Sequence, residues 1–366
     1  MDILPNRNRP SGHDVAVTPA GTPAGLPPSA TRTDIAKLDV MSTPGLPRVI
    51  DAATVRSVLS PTAAADAIST PIIDPTISFD PSTDLPRRTA HTSHGHFLLM
   101  PSEVGTYAGV KVATVAPSNP ALGRPRINAT YLFYDAESLQ LESIIDGVAL
   151  TTLRTPAVSI AALRPTLALV DTPVDLVVFG GGPQGLAHIE ALAAELGPRA
   201  GGSPFNSVNI VVRNPDRASD HAHAAVEGLG RVLPTDSQDT LDALAAADVI
   251  VTATSADTPL FQDHHVRDDV VVIAVGSHEP NTRELDADFI AGAKVIVEDI
   301  DTALETAGDI VLAHFEGAIN PGDLVSMRTA LTEKTVTPGR RPVVFKSVGM
   351  SWQDLLIAEA VDRLSR

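Results

Sequence analysis

From Pro173 onward the chain repeats one pattern, a short and wholly apolar run followed by a stretch with apolar residues every three or four positions. The runs are "VDLVVFG", "SVNIVVRN", "ADVIVTATS", "DVVVIAVG" and "AKVIVED". Strands apolar on both faces and alternating with helices predict a parallel sheet covered on both sides. Between Phe97 and Asp146 the pattern differs: "FLLM", "GVKVATVA" and "TYLFYDA" are separated by Pro and Gly turns and predict an antiparallel sheet. Order is expected to begin near "RVIDAATVRSVLSPTAAADAIS", with Asp51 capping one helix and Ser60 followed by Pro61 opening the next. Met1 to about Pro47 is rich in Pro, Ala, Thr and Gly and reads as an extension, disordered alone or draped on the body. After about Ile310 the pattern is less regular, closing with a strand "PVVFKSVG" and a helix "WQDLLIAEAVDRL".

Composition narrows the chemistry. A chain of 366 residues with 43% hydrophobic content can build two domains with cores of their own. The 27 Lys and Arg against 44 Asp and Glu leave −17, too acidic for non-specific attraction to nucleic acid or to an anionic membrane. There is no cysteine, which excludes disulfides, thiolate zinc sites and cysteine nucleophiles, and no metal site is expected. The start "MDILPNRNRPSGHD" has no apolar signal core and runs such as "VVVIAV" are too short to span a bilayer, so a cytoplasmic protein is expected.

The window "VVFGGGPQGLAHIEAL" is the most informative stretch. Gly180, Gly182 and Gly185 match G-x-G-x-x-G, between a strand and a helix that Pro183 starts and Gly197 ends. In that setting Gly180 permits the tight turn, Gly182 lets the backbone approach a pyrophosphate, and Gly185 lets helix and strand pack closely. The loop is therefore expected to admit a dinucleotide, with Pro183 and Gln184 beside it and Thr252, Thr254, Val275 and Gly276 at the next strand ends. The strand after this helix ends in "VVRNPDRA", without the acidic residue that meets a bare ribose. Arg213, with Asn214 and Arg217, suits a 2′-phosphate, so NADP(H) is favoured over NAD(H).

With the loop placed, further blocks carry a resemblance. "RVIDAATVRSVLS", "FLLMPS", "GVKVATVAPSNP", "DGVALTTLRTPAVS", "ADVIVTATS", "VGSHEPNTRELD" and "VFKSVGMSWQDL" run in an order that resembles the ornithine cyclodeaminase/mu-crystallin family from about Val49 to the C-terminus. The resemblance implies an α/β protein: a Rossmann-like, doubly wound parallel-sheet domain (156–319) inserted into a mixed α+β substrate and dimerisation domain (48–155 plus 320–366). It also implies a homodimer acting on α-amino or α-imino acids with a nicotinamide cofactor. Arg88 of "RRT", Lys111 of "GVK" and Arg154 of "LRT" fall on the family's substrate-site cations, with Arg87 an adjacent competitor for Arg88.

These roles are chemically sound in themselves. An arginine pairs a carboxylate in two-pronged fashion, and a lysine whose pKa is lowered by neighbouring arginines can donate or relay a proton to an imine nitrogen. Two positions depart from the cyclodeaminase pattern: His278 stands where an Asp is expected, and Leu98 where a Glu would help hold ornithine. His278 can serve as acid or base, or pack against the cofactor as a loop residue. The departures favour NADP(H)-dependent reduction of cyclic or substituted α-imino acids, pyrroline-2-carboxylate or piperideine-2-carboxylate. The alternatives are ornithine cyclodeamination, amino-acid or N-substituted amino-acid dehydrogenation, and ligand binding with little turnover.

Overall fold

The protein is described by a computed structural model over residues 46–74, 76, 77, 79–199, 202–333 and 341–366. The expected extension lies outside the described residues but for its last two.

One sheet is mixed. Strands β1 (Arg48–Ile50), β2 (Arg88–Thr92), β3 (Gly95–Val104), β4 (Tyr107–Val115), β5 (Ile127–Asp135) and β6 (Leu141–Asp146) lie in the order β1-β6-β5-β4-β3-β2. All pairs are antiparallel except β1 with β6. Between β1 and β2 run helices α1 (Ala52–Val58) and α2 (Pro61–Ile73), and their starts are the ones the sequence specified. Asp51 accepts from Thr54 N and Ser60 from Ala63 N, each relieving an N–H that a helix start leaves unpaired.

Helix α3 (Gly147–Leu167) leads out of β6 into the second sheet. Its strands are β7 (Val174–Phe179), β8 (Phe205–Val212), β9 (Val232–Pro234), β10 (Val249–Thr252), β11 (Val271–Ala274), β12 (Lys294–Val297), β13 (Leu324–Ser326) and β14 (Val343–Lys346), ordered β13-β12-β14-β11-β10-β7-β8-β9 and parallel throughout. Among them run α4 (Pro183–Leu196), α5 (Asp220–Val226), α6 (Gln238–Ala246), α7 (Ala287–Gly292), α8 (Ile300–Thr306), α9 (Gly308–Phe315) and α10 (Met327–Glu333), and α11 (Ser351–Leu364) closes the chain. No described helix is long and apolar enough to cross a membrane.

Alternation decides which core each strand residue joins. Leu176, Val178, Val249, Val251, Ile273 and Phe345 enter one core, continuous with α3, α11 and the mixed sheet; Val177, Phe179, Ile250, Val272 and Val344 enter the other. From β7 the chain moves outward to β8 and β9, then returns to the opposite side of β7 as β10. The loops after β7 and β10 thus meet at the point where strand order reverses, the crevice at which such sheets take ligands.

The boundary expected between residues 155 and 156 falls inside α3, which is unbroken. The strand "VVFK", assigned with the mixed sheet's part of the chain, is β14, inside the parallel sheet between β11 and β12. All four of its residues are buried, and a strand with both faces covered belongs in the interior of a doubly covered sheet.

If β14 is integral to that core, Phe345→Ala should lower stability by about 3–5 kcal/mol through lost burial and a residual cavity. Urea unfolding would read this, and a loss under about 1 kcal/mol would contradict it.

Candidate active site

The covered face of the mixed sheet carries one row of facing residues. Met100 pairs with Lys111, Lys111 with Tyr131, Tyr131 with Ile145, and Ile145 with Ile50, so five strands contribute to it. Lys111 is 4% exposed in this row and could not remain charged without a partner. The partner comes from the C-terminal helix: Lys111 Nζ donates to Asp354 Oδ2 at 2.6 Å. Asp354 lies in the first turn of α11, where the helix dipole favours a negative charge. Arg154, buried on α3, places its Nε 3.4 Å from Asp354 Oδ1 and donates through a terminal nitrogen to Gln353 Oε1 at 2.9 Å. Gln353 donates in turn to Glu298, which also accepts from the Ser347 hydroxyl and the Val348 and Gly349 amides.

Gly349 is where two arginines converge. Its φ of +76° is left-handed, and a Cβ there would stand 2.7 Å from an Arg154 terminal nitrogen, so only glycine lets the guanidinium lie against this backbone. Arg87 donates to the Gly349 carbonyl at 2.9 Å. Of the two adjacent arginines, Arg87 and not the expected Arg88 reaches this cluster. Arg88 pairs with Leu99, one step out of register with Met100 and Lys111, so it faces the opposite side of the sheet and is exposed. Arg87 joins the cluster instead.

The cluster gathers three cations, Lys111, Arg87 and Arg154, and three carboxylates, Asp354, Glu298 and Asp84, the last met by the Ser351 and Trp352 amides and the Ser102 hydroxyl. Burial lowers Lys111 to about 8; Asp354 opposes this, and Arg154 and Arg87 add to it. Burial raises Asp84 to about 6 against those hydrogen bonds.

The glycine loop has the geometry a dinucleotide needs. Gly180 has φ +104°, and a Cβ there would stand 2.5 Å from the Ala253 carbonyl oxygen, where the loops after β7 and β10 press together. At Gly185 a Cβ would stand 2.0 Å from Gly180 O, so that glycine sets how closely helix and strand pack. Gly182 is different: nothing lies within 4 Å of its Cβ position, leaving open space over the start of α4, whose first turn begins with Pro183. Gln184 points away from that space, donating to Thr151 O on α3 at 3.3 Å. Gly180 N donates to Val211 O, which brings the end of β8 alongside; Arg213 and Arg217 are exposed there with no ion pair among the described residues, and Asn214 Oδ1 accepts from Asp216 N.

The two threonines expected to face the cofactor do not present free hydroxyls. Both donate to the carboxylate of Glu284, at 2.9 Å from Thr252 and 2.7 Å from Thr254, and Thr252 is wholly buried. Glu284 also accepts from the amides of Thr254 and Gly276, while Val275 N donates to Thr252 O. These residues shape the crevice floor. His278 lies exposed on the next loop with Nδ1 3.2 Å from Gly276 O, and makes no hydrogen bond to Lys111, Arg154 or Asp354.

Sequence reasoning missed Asp354, Gln353, Glu298, Asp84 and Glu284. The adjacent polar pair of "SWQDL", just ahead of the apolar run "LLIA", was the signal available for Gln353 and Asp354.

Comparison with known proteins bears on this geometry. The family model for the ornithine cyclodeaminase/mu-crystallin family matches residues 45–365. A Delta(1)-pyrroline-2-carboxylate/Delta(1)-piperideine-2-carboxylate reductase from Azospirillum brasilense is 30% identical over 261 residues, covering 71% of this chain and 78% of that protein. A Delta(1)-pyrroline-2-carboxylate reductase from Bacillus cereus is 32% identical over 268 residues, covering 72% and 79%. In fold, the chain resembles Thermococcus litoralis Delta(1)-pyrroline-2-carboxylate reductase, solved with NADH and L-proline, with a TM-score of 0.74 at 19% identity over 87% of this chain and 97% of that one.

Since nothing crowds Gly182, Gly182→Val should fold normally yet lose dinucleotide binding, because the branched side chain fills the space over α4. Calorimetric titration with NADPH would check this, and wild-type affinity would refute it.

Proposed function

Because the chain belongs to the ornithine cyclodeaminase/mu-crystallin family, we propose that it is an NADP(H)-dependent reductase of cyclic or substituted α-imino acids, of the pyrroline-2-carboxylate and piperideine-2-carboxylate type, forming L-amino acids. The observation that carries this reading is the buried Lys111, paired with Asp354 and flanked by Arg87 and Arg154. The named activities of the relatives from Azospirillum brasilense and Bacillus cereus support it.

In the reaction, a bound nicotinamide supplies hydride to the imine carbon. Arg154 and Arg87 hold the substrate carboxylate, since planar guanidinium donors match a carboxylate. Lys111 manages the proton at the substrate nitrogen. With a pKa of about 8 it carries a proton at neutral pH yet holds it loosely enough to transfer. Asp354 keeps the ammonium in place, and burial of the pair excludes water from the transfer.

A single proton transfer suffices for reduction, whereas ornithine cyclisation also requires loss of ammonia and asks more of its base. The exposed His278, which makes no hydrogen bond to Lys111, Arg154 or Asp354, serves that sequence less well, and Leu98 offers no charge to a side-chain ammonium. The preference for NADP(H) rests on Arg213 and Arg217, which no carboxylate of the described residues neutralises. The reading also takes the protein as a cytoplasmic homodimer, with the exposed edge strand β2 among the surfaces open to a partner.

Lys111→Ala should lose about a hundredfold or more in rate while still binding NADPH. In the wild type, imine reduction should slow as pH rises through about 8, because the ammonium form is the one lost. The deciding measurement pairs NADPH oxidation by pyrroline-2-carboxylate with ammonia release from L-ornithine on one preparation. Brisk ammonia release with negligible imine reduction would promote cyclodeamination in its place. For the cofactor, Arg213→Ala should weaken NADPH about ten- to a hundredfold and leave NADH nearly unchanged, as expected for one charge-assisted contact to a phosphate. Equal weakening of both, or of neither, would remove Arg213 from the 2′-phosphate.

A further inference from the structure

Tyr131 lies directly opposite Lys111 on the covered face of the mixed sheet and has no exposed surface. Its hydroxyl finds no hydrogen-bond partner in the chain. An unpartnered buried hydroxyl is destabilising, and phenylalanine would fill the same space without it. The neighbouring strand nevertheless makes room for that oxygen: a Cβ on Gly109, two residues before Lys111, would stand 2.2 Å from it.

The surroundings give the hydroxyl something to act on. Burial, then Asp354 and Asp84, raise the phenol well above its ordinary range, so it stays protonated and faces negative charge as a donor. Asp354 divides its carboxylate unequally: Oδ2 holds Lys111, while Oδ1 lacks a hydrogen bond and has Arg154 Nε at 3.4 Å. The charged groups around the pair are Asp354 on α11, Arg154 on α3, Arg87 and Asp84 ahead of β2, and Glu298 after β12, which acts through Arg87.

We propose that Tyr131 is a positioning residue for Lys111: its hydroxyl proton is directed at the Asp354 carboxylate and draws part of that negative charge away from the lysine ammonium. This rests on Lys111 being the proton-bearing group of the reaction proposed above. With the phenol in place, Asp354 keeps Lys111 fixed without gripping its proton too firmly. In Tyr131→Phe the carboxylate is left to the cations alone, and Lys111 should hold its proton more tightly.

The test reads Lys111 itself. The chain has five lysines, Lys37, Lys111, Lys294, Lys334 and Lys346, few enough for the full-length protein labelled with carbon-13 at lysine Cε to be followed by NMR against pH, with Lys111→Arg assigning the signal. Tyr131→Phe should move the Lys111 midpoint upward by about half a pH unit or more. The alkaline limb of imine reduction should move in the same direction, with NADPH affinity unchanged. An unmoved or lowered midpoint would overturn the proposal and leave the hydroxyl with a packing role alone. Because the titration is read on the resting protein, it is separate from the substrate reading: wild type without imine turnover but with the shift intact would refute the substrate and spare Tyr131.

Discussion

A lysine ammonium and an aspartate carboxylate, each nearly sealed from water, are the constraint around which this protein is arranged. Neither could remain charged alone in that position, and together they do so only with the guanidinium of Arg154 close behind. Lys111 is fixed by the register of β4, Arg154 by α3 and Asp354 by the first turn of α11. Three segments from well-separated parts of the chain must therefore arrive at one point, and the mixed sheet, the long central helix and the C-terminal helix are packed as they are in consequence. The position that suits a substrate carboxylate beside a proton donor is the same one that satisfies these charges.

A second buried network does the equivalent work for the crevice. Glu284 gathers the loops after β10 and β11, its own amide and that of Leu285 donate to Asp309, and Asp309 pairs with Lys346 at 2.9 Å. Lys346 then donates to the carbonyl of Ser277, beside His278. The loops around the glycine turn are thus braced from beneath by charges on α9 and β14.

What could be read from the sequence was what local chemistry decides. The caps at Asp51 and Ser60, the helix from Pro183 to Leu196 ended by Gly197, and the glycine turn are all specified within a few residues, and the structure has them where the pattern put them. The rest depended on distance along the chain. Lys111 and Asp354 are 243 positions apart, and nothing local announces the pairing. The choice between Arg87 and Arg88 turns on a one-residue register, which flips a side chain across the sheet and leaves no trace in composition. Thr252 and Thr254 stand at the expected strand ends, but a glutamate about thirty residues later takes up their hydroxyls. The resemblance put the strand at 343–346 with the first sheet's part of the chain, whereas its burial on both faces assigns it to the interior of the second.

The placement of β14 bears on how the protein is made. Among the described strands, β12 with its neighbour β13 meets the rest of the parallel sheet only through β14, and β14 is made after the other described strands. Until then the sheet exists as two unjoined pieces whose facing edges, β11 and β12, are apolar and open to pairing with other chains. Closing that gap is a long-range step of the kind that slows folding and leaves nascent protein exposed to aggregation. The segment after β14 carries Asp354, so the polypeptide neutralises Lys111 as it closes the sheet, and a chain stalled before β14 would hold a buried cation with no counter-charge beside an unfinished core.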